Sequence, residues 1–272
     1  MLRFLISPLR IVNTMIEHRA LIVALTTREV LGRYRGSVLG LFWAVFQPVL
    51  MLAVYTFVFG LIFRSRWPGG SGSRAEFALV LFAGLLVFNM FAECLNRAPT
   101  LIVSNSNYVK RVVFPLEILP CVTVGVALFQ LLVSFVVWLA FHAFTIGMPP
   151  VTALLFPIAL LPLVFFALAV AWLFSSLGVY LRDTVQVTGL VTAVLMFLSP
   201  IFYPADAIPA RFRAFADLNP LVPIIEQVRR VLIWKQGLAL DQYLPVLLVS
   251  LLALWFGYSW FEKTRKGFAD VL

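Results

Sequence analysis

Aromatic side chains recur near the start of the chain at helical spacing. Phe42 and Phe46 are four residues apart, and Tyr55, Phe59 and Phe63 follow one another at the same spacing, so each set lies on one face of a helix. Flat rings on one face can stack against sugar rings and let a polymer slide without deep binding wells. Packing against another helix or contact with lipid fits the same spacing, so both interpretations stay open.

Other groups that could do chemistry are sparse. Cys94 and Cys121 are too few for a disulfide framework or a metal cage, and His18 and His142 lack neighbours at ligand spacing. No phosphate-binding loop occurs, because the glycine cluster from Gly69 to Gly72 has no lysine after it. The sequence therefore predicts no metal and no cofactor bound by this chain, and it does not predict ATP hydrolysis.

Ionisable residues are also absent from the middle of the long apolar segments, where they would mark a proton or ion pathway. Glu93, Glu117 and Glu262 lie near predicted segment ends. Glu93 and Arg97 are one helical turn apart, which predicts a local ion pair. A proton-coupled carrier is therefore disfavoured.

The chain is 62% hydrophobic and only 12% charged, too few charges to coat a soluble globule. About 20 apolar residues in a helix cross a hydrocarbon core of about 30 Å. We therefore predict an all-α membrane protein with six transmembrane helices, formed by residues 1–272 as one domain. The predicted spans are 38–62, 77–95, 112–146, 151–181, 184–205 and 243–261.

The basic residues predict the orientation. Thirteen of the 21 Lys and Arg residues lie in the N-terminal segment, in the connections after spans two and four, and in the C-terminal tail. Cytoplasmic flanks retain positive charge during insertion, so both termini are predicted to be cytoplasmic. The net charge of +9 is dispersed among these flanks, which indicates contact with anionic lipid headgroups and not with nucleic acid.

Three connecting segments are candidates for partner contacts. Residues 1–37 predict an amphipathic helix on the membrane surface that continues into the first span without a turn. The stretch SNSNYVKRVVFP, residues 104–115, fits either a short helix parallel to the membrane or an ordinary positive-inside loop. The short turn YLRDT, residues 180–184, exposes Arg182 and Asp183 as a further contact point.

The connection between spans five and six is rich in proline, which removes backbone donors and interrupts helices. Between the prolines, Pro209 to Asp217 and Leu221 to Trp234 are each long enough for a short helix. The second is amphipathic, and we place four polar residues away from its apolar face: Glu226, Gln227, Arg229 and Arg230. A segment of this kind that dips into the membrane from the external side is a candidate gate.

An ordered set of motifs resembles a known family. The motifs are RxxLGRYRGSVLGLFWAVFQP, VKRVVFPLEILP, YLRDTVQV, SPIFYP, LNPLVPIIEQVR and KGFADVL. Together they cover nearly the whole chain and resemble the transmembrane subunit of type-2 ATP-binding-cassette exporters of bacterial polysaccharides, the O-antigen and capsule permeases. The resemblance implies a homodimer of six-span subunits in the bacterial inner membrane. It also implies two copies of a separate ATPase, which hold ATP and Mg, and a lipid-linked polysaccharide as the substrate.

The same resemblance, added to the residue patterns, suggests roles for three sets of residues. The set expected to couple to the ATPase is Arg28, Arg33, Arg35, Asn107, Tyr108, Lys110, Arg111, Arg182 and Asp183. The set expected to line the translocation path is Phe42, Phe46, Tyr55, Phe59, Phe202 and Tyr203. The set expected at the external gate is Pro209, Pro220, Pro223, Glu226 and Arg229.

Other functions stay open at this point. An exporter of drugs or small lipids of the same class has similar apolar spans, and the exported glycan could equally be O-antigen, capsule or teichoic acid. A membrane enzyme acting on lipid-linked sugars would need paired acidic groups or a metal cluster. Asp206, Asp217 and Asp241 form no such pair, so the enzyme is the weaker alternative.

Overall fold

A computed structural model describes residues 7–62, 67–68, 70, 72–109, 114–212 and 218–272. Every regular element in those ranges is helical. Five helical segments are long and apolar enough to cross a membrane: Phe42–Ile62, Arg74–Ser104, Ile118–Thr145, Val151–Tyr180 and Leu240–Val271. Thr184–Leu198 is also apolar but has only 15 residues. The helical membrane architecture is confirmed, with five long spans where six were predicted.

The helices are numbered in chain order. They are α1 (Pro8–Glu17), α2 (Arg19–Tyr34), α3 (Phe42–Tyr55), α4 (Arg74–Ser104), α5 (Ser106–Val109), α6 (Ile118–Thr145), α7 (Phe156–Ala159), α8 (Leu161–Tyr180), α9 (Thr184–Leu198), α10 (Leu221–Leu232), α11 (Leu240–Thr264) and α12 (Phe268–Val271). A π-helix, Thr56–Ile62, continues α3. Short 3-10 turns lie at Val151–Leu155, Ala205–Ala207, Ala210–Phe212 and Arg265–Gly267.

The predicted direct passage from the N-terminal segment into the first span is wrong. Helix α2 ends at Tyr34 and α3 begins at Phe42. Between them Gly36 and Gly40 have φ angles of +85° and +52°, a left-handed backbone that glycine adopts without steric cost. These glycines turn the chain before it enters the first span. The segment ahead of the turn is divided into α1 and α2 at His18.

The fifth predicted span, 184–205, is helical only as far as Leu198. Pro200 follows closely, and the residue before a proline is driven out of the helical region by a clash with the proline ring. Ser199 accordingly has an extended backbone, with φ −89° and ψ 145°. The remainder of that predicted span is irregular.

Helices α4 and α8 form the centre of the bundle, and α6 and α11 pack outside them. Close helix contacts are made at glycines: a Cβ atom at Gly257 of α11 would approach the carbonyl oxygen of Ala169 in α8 to 2.5 Å. Buried indole groups also join the helices. Trp138 donates to the carbonyl of Leu79 at 3.1 Å, which satisfies a polar group that would otherwise be costly to bury.

The bundle has two ends, which position different groups. One end of the bundle, which we call the terminal end, holds α1 and α12 together with the final turns of α4, α8 and α11. At this end Tyr180 donates to the carbonyl of Thr264 at 2.8 Å. The opposite end holds α10 and the first turns of α4 and α8. Helices α3 and α9 leave most of their side chains exposed, so their surfaces are available to lipid, substrate or another chain.

Candidate functional site

Helix α10 is anchored in the bundle by the buried side chain of Arg229. The guanidinium donates through Nε to the carbonyl of Val80 at 3.2 Å and through Nη2 to the carbonyl of Ile201 at 3.0 Å. Nη1 donates to the Glu226 carboxylate at 2.9 Å, and the group lies over the ring of Trp67. A buried charge is tolerated only when it is paired and hydrogen-bonded, and this one is both.

This arrangement differs from the predicted polarity of α10. The helix is amphipathic as expected, but Gln227 and Arg229 are buried. Arg229 lies one turn after Ile225, so its aliphatic stem extends the apolar face while its head reaches backbone carbonyls. Gln227 instead forms two hydrogen bonds with the backbone of Ala239, at 3.0 and 3.3 Å. In the sequence, the four-residue spacing between Ile225 and Arg229 was the indication that Arg229 lies on the apolar face.

The start of α10 is fixed by Asn219, a residue that the sequence analysis did not select. Its Oδ1 accepts from the backbone N–H of Leu221 at 3.0 Å, and its amide donates to the hydroxyl of Ser199 at 2.9 Å. Asn219 therefore joins the beginning of α10 to the end of α9. Asparagine is favoured ahead of a helix because its side chain accepts from a free backbone N–H.

The prolines predicted at the gate have different environments. Pro220 and Pro223 lie at the beginning of α10, where a missing N–H is tolerated because the first turn has no intrahelical partner for it. Pro209 is exposed beside a 3-10 turn. Of the helix predicted from Pro209 to Asp217, residues 213–217 lie outside the described ranges.

An aromatic chain connects the first span to α10. The ring of Phe59 is stacked on Phe202 at a centroid distance of 5.7 Å and is 6.0 Å from Phe77. Phe77 is in turn 5.8 Å from Trp67, whose face carries the Arg229 guanidinium. This aromatic chain, Phe202–Phe59–Phe77–Trp67, reaches from the irregular segment after α9 to α10.

The other predicted path residues are distributed around this chain. Tyr55 lies one turn before Phe59, with ring centroids 6.5 Å apart. The hydroxyl of Tyr203 donates to the carbonyl of Phe197 at 2.7 Å. Phe42 and Phe46 are in contact with each other at the beginning of α3, 54% and 36% exposed. The six residues thus form two groups, and their role in conduction stays a prediction.

At the terminal end, a first ion-pair network attaches α2 to α4. Arg33 pairs with Glu93, and Arg97 pairs with Glu29. The predicted pair within α4 is present, since Arg97 Nη1 lies 3.7 Å from Glu93 Oε1. Glu93 and Arg97 also pair with residues of α2, and the residue pattern within α4 does not predict those pairs. We call these four residues the α2–α4 network.

A second network joins α1, α6 and α11. Arg265 Nη1 lies 2.6 Å from Glu117 Oε2 and 2.7 Å from Glu262 Oε1, and Arg10 Nη2 lies 3.2 Å from Glu262 Oε2. The two carboxylates are nearly buried, so the arginines supply the charge that burial requires. Across the described part of the chain, no three His, Cys, Asp or Glu side chains are grouped closely enough to hold a metal ion.

The predicted coupling residues lie at the terminal end or in connections that reach it. Arg28 and Arg35 are exposed, as are Arg182 and Asp183 in the turn between α8 and α9. Arg33 is already engaged in the α2–α4 network.

The remaining coupling residues belong to the connection between α4 and α6. Asn107 is exposed on the short helix α5. The ring of Tyr108 is stacked on Phe114 at 4.2 Å, which fastens α5 to the start of the next segment. Lys110 and Arg111 lie outside the described residues.

Comparison with known proteins places these features in context. A family model described as ABC-2 type transporter matches residues 20–233. The O-antigen export system permease protein RfbA of Klebsiella pneumoniae is 28% identical over 255 residues, covering 93% of this chain and 95% of the relative. RfbA of Myxococcus xanthus is 27% identical over 96% of this chain and 99% of its own length. The polysialic acid transport protein KpsM of Escherichia coli is 26% identical over 84% of this chain and 88% of the relative.

Proposed function

The chain belongs to the ABC-2 type transporter family, and we propose that it is the membrane permease of a bacterial polysaccharide exporter. Its substrate is a lipid-linked polysaccharide that crosses the inner membrane from the cytoplasm. The observation that carries this proposal is the similarity, over at least 84% of the chain, to permeases named for O-antigen and polysialic acid transport. The chain is a transport subunit and not an enzyme.

In this proposal ATP and Mg are bound by a separate ATPase, because the sequence of this chain contains no phosphate-binding loop. The ATPase is present in two copies. The permease itself is a homodimer. The exposed sides of α3 and α9 support this assignment, since two apolar helices with little internal packing offer the surface that a second copy needs.

The proposed topology has six crossings and both termini in the cytoplasm. Helix α9 is the fifth crossing, although its 15 residues rise only about 22 Å. The irregular segment that follows it, packed against the aromatic chain, completes the passage. Irregular backbone is tolerated at membrane depth when it lies against protein, as the Ile201 carbonyl does against Arg229.

The terminal end is the proposed surface for the ATPase. A partner that pushes on Arg28, Arg35 and the exposed Asn107 displaces α2, and the α2–α4 network passes that displacement to the second span. The network of Glu117 and Glu262 passes a displacement of α1 to the last span in the same way.

The opposite end is the proposed external gate, closed by α10. Its anchor Arg229 contacts the aromatic chain, and the chain includes Phe59 of the first span. A shift of the first span during transport therefore changes the packing around α10. Tyr55, Phe59, Phe202 and Tyr203 supply ring faces along the path, which suit successive sugar units of a polymer.

Deletion of the gene followed by cell fractionation tests the function. Lipid-linked polysaccharide should accumulate on the cytoplasmic side while surface polysaccharide is lost, and the wild-type gene should restore both. Unchanged surface polysaccharide with no internal accumulation rejects the proposal. Loss of resistance to an apolar drug in that same strain would indicate the alternative, a drug exporter of this class.

A further inference from the structure

A cavity of about 390 Å³ lies between α2, α3, α4 and α6. This volume falls within the range of about 300–1,000 Å³ that is common for small-ligand sites. Its walls include polar side chains from three of the four helices that would otherwise face hydrocarbon: Gln47, Asn89, Gln130 and Ser134. The ion pair of Arg33 and Glu93 also lines it.

Asn89 marks where the cavity opens along α4. Helix α4 is buried from Phe77 to Phe91 except at Asn89, which is exposed. Asn89 lies midway along the helix, about 22 Å from either end at 1.5 Å per residue. A carboxamide is thus exposed within a stretch of helix that is otherwise buried, because the cavity opens beside it.

Three of these polar side chains have unused hydrogen-bonding groups. Within the ranges that the structure describes, Gln47, Asn89 and Ser134 form no hydrogen bond to the protein. A polar group left unpaired in hydrocarbon costs several kcal/mol, so the groups require water or a polar ligand. A site with two carboxamides and a hydroxyl presents both donors and acceptors.

The fourth polar side chain is held in place. Gln130 donates to the carbonyl of Ala44 at 3.2 Å, and its Oε1 accepts from the Tyr34 hydroxyl at 3.2 Å. Burial raises the pKa of Tyr34, so the hydroxyl stays protonated and remains a donor. These bonds join α2, α3 and α6 around the cavity and keep its shape.

The charges in the wall select against an anionic ligand. Arg33 is paired with Glu93, so the cavity lining carries no net charge that would attract a phosphate. The free groups are neutral amides and a hydroxyl, and the rings of Tyr55 and Phe82 lie beside them. Neutral donors and acceptors next to ring faces match a sugar, which has hydroxyl groups on its rim and apolar C–H faces.

We propose that this cavity, between α2 and the middle of α4, binds a neutral sugar unit. That the sugar belongs to the exported polymer rests on the proposed function. The binding itself does not, because it follows from the geometry and charge of the cavity alone.

Accessibility of a cysteine in the cavity tests the proposal. Ser134→Cys is made in the full-length protein with Cys94→Ala and Cys121→Ala, reconstituted in nanodiscs, and its modification rate by a small methanethiosulfonate is measured. The probe is octyl β-glucoside below its micellar concentration. The rate should fall along a saturable curve, by about tenfold at ten times the apparent Kd.

Two ligands and two variants serve as controls. Octyl tetraethylene glycol ether has the same alkyl chain without a sugar and should leave the rate unchanged, as should octyl phosphate. Ser37→Cys, exposed in the turn before α3, should react at the same rate with and without glucoside. Adding Gln47→Leu and Asn89→Leu to Ser134→Cys should retain modification but abolish protection.

Equal protection by the sugar-free ether would overturn the proposal in favour of an alkyl-chain site. Protection by octyl phosphate alone would replace it with an anion site, and absence of modification at Ser134→Cys would show that no open cavity exists. The assay does not depend on export. Its failure therefore leaves the proposed transport function intact, and a failure of the deletion test leaves the sugar site intact.

Discussion

The guanidinium carbon of Arg229 lies 4.4 Å from the centroid of the Trp67 ring. A cation over an indole face contributes from about 0.5 kcal/mol when exposed to about 2 kcal/mol when desolvated, and both side chains are buried here. Trp67 precedes α4 and Arg229 belongs to α10. The contact thus connects the beginning of the second span to α10.

Replacement of Arg229 by Met should destabilise the protein strongly. The change removes the side-chain donor from the buried carbonyl of Ile201 and a second donor from that of Val80, and an unsatisfied buried polar group costs about 1–3 kcal/mol. Arg229→Lys should also be less stable than wild type, because an ammonium group cannot reproduce the planar fork. Thermal unfolding followed by size-exclusion chromatography measures the effect.

The adjacent Arg230 provides the matched control. It is more exposed than Arg229, and among the described residues it donates to the carbonyl of Gly237 alone, at 3.4 Å, so Arg230→Met should change stability by less than about 1 kcal/mol. Equal melting temperatures for the two Met variants would show that Arg229 does not anchor α10.

Joint replacement of Tyr55, Phe59 and Tyr203 by Leu should reduce surface polysaccharide. Leucine retains most of the apolar area that packing requires, whereas sugar stacking requires the ring. Membrane abundance and ATPase binding should persist. Phe256→Leu, on the exposed side of α11, serves as the control and should export normally. Normal export by the triple variant at normal abundance would identify these rings as packing residues.

Reversal of one charge in the α2–α4 network should uncouple transport from ATP hydrolysis. The pair of Arg33 and Glu93 is partly exposed, and pairs of this kind contribute only about 0–1 kcal/mol to stability, so Arg33→Glu should still fold. Its expected defect is a lower ratio of polysaccharide exported to ATP hydrolysed. The exchange Arg33→Glu with Glu93→Arg should recover part of that ratio. If Arg33→Glu alone exported as much polysaccharide per ATP hydrolysed as wild type, the α2–α4 network would not couple hydrolysis to export.

The orientation predicts which engineered cysteines an impermeant reagent reaches in intact cells. In a background without Cys94 and Cys121, cysteine at position 71 should be labelled, whereas Ser106→Cys should react only after the cells are opened. Ser71 lies outside the described residues, and Ser106 begins α5. Labelling of the Ser106 variant in intact cells would invert the topology.

Hydropathy predicted the long helices because a membrane-spanning segment must be apolar over its whole length. It did not predict the end of α9 at Leu198, although Pro200 was visible, since length and hydropathy carry no information about backbone angles. The glycines at 36 and 40 were a similar signal for the turn before α3.

The anchoring contacts could not be derived from the sequence. Glu29 and Arg97 are 68 residues apart, and Glu117 and Arg265 are 148 apart. Helical periodicity relates residues within one element, so it assigns no partner in another helix. Asn89 was missed because one amide, averaged over a long apolar segment, changes the mean hydropathy of that segment little.

The two N-terminal helices are fastened to different spans, α2 to the second through Arg33 and α1 to the last through Arg10. An unbroken helix would oblige both spans to tilt together. The helix is interrupted at His18, so α1 and α2 can tilt separately, and a displacement applied by the proposed ATPase need not reach both spans equally. The second span and the last span can then move out of step within a single transport cycle.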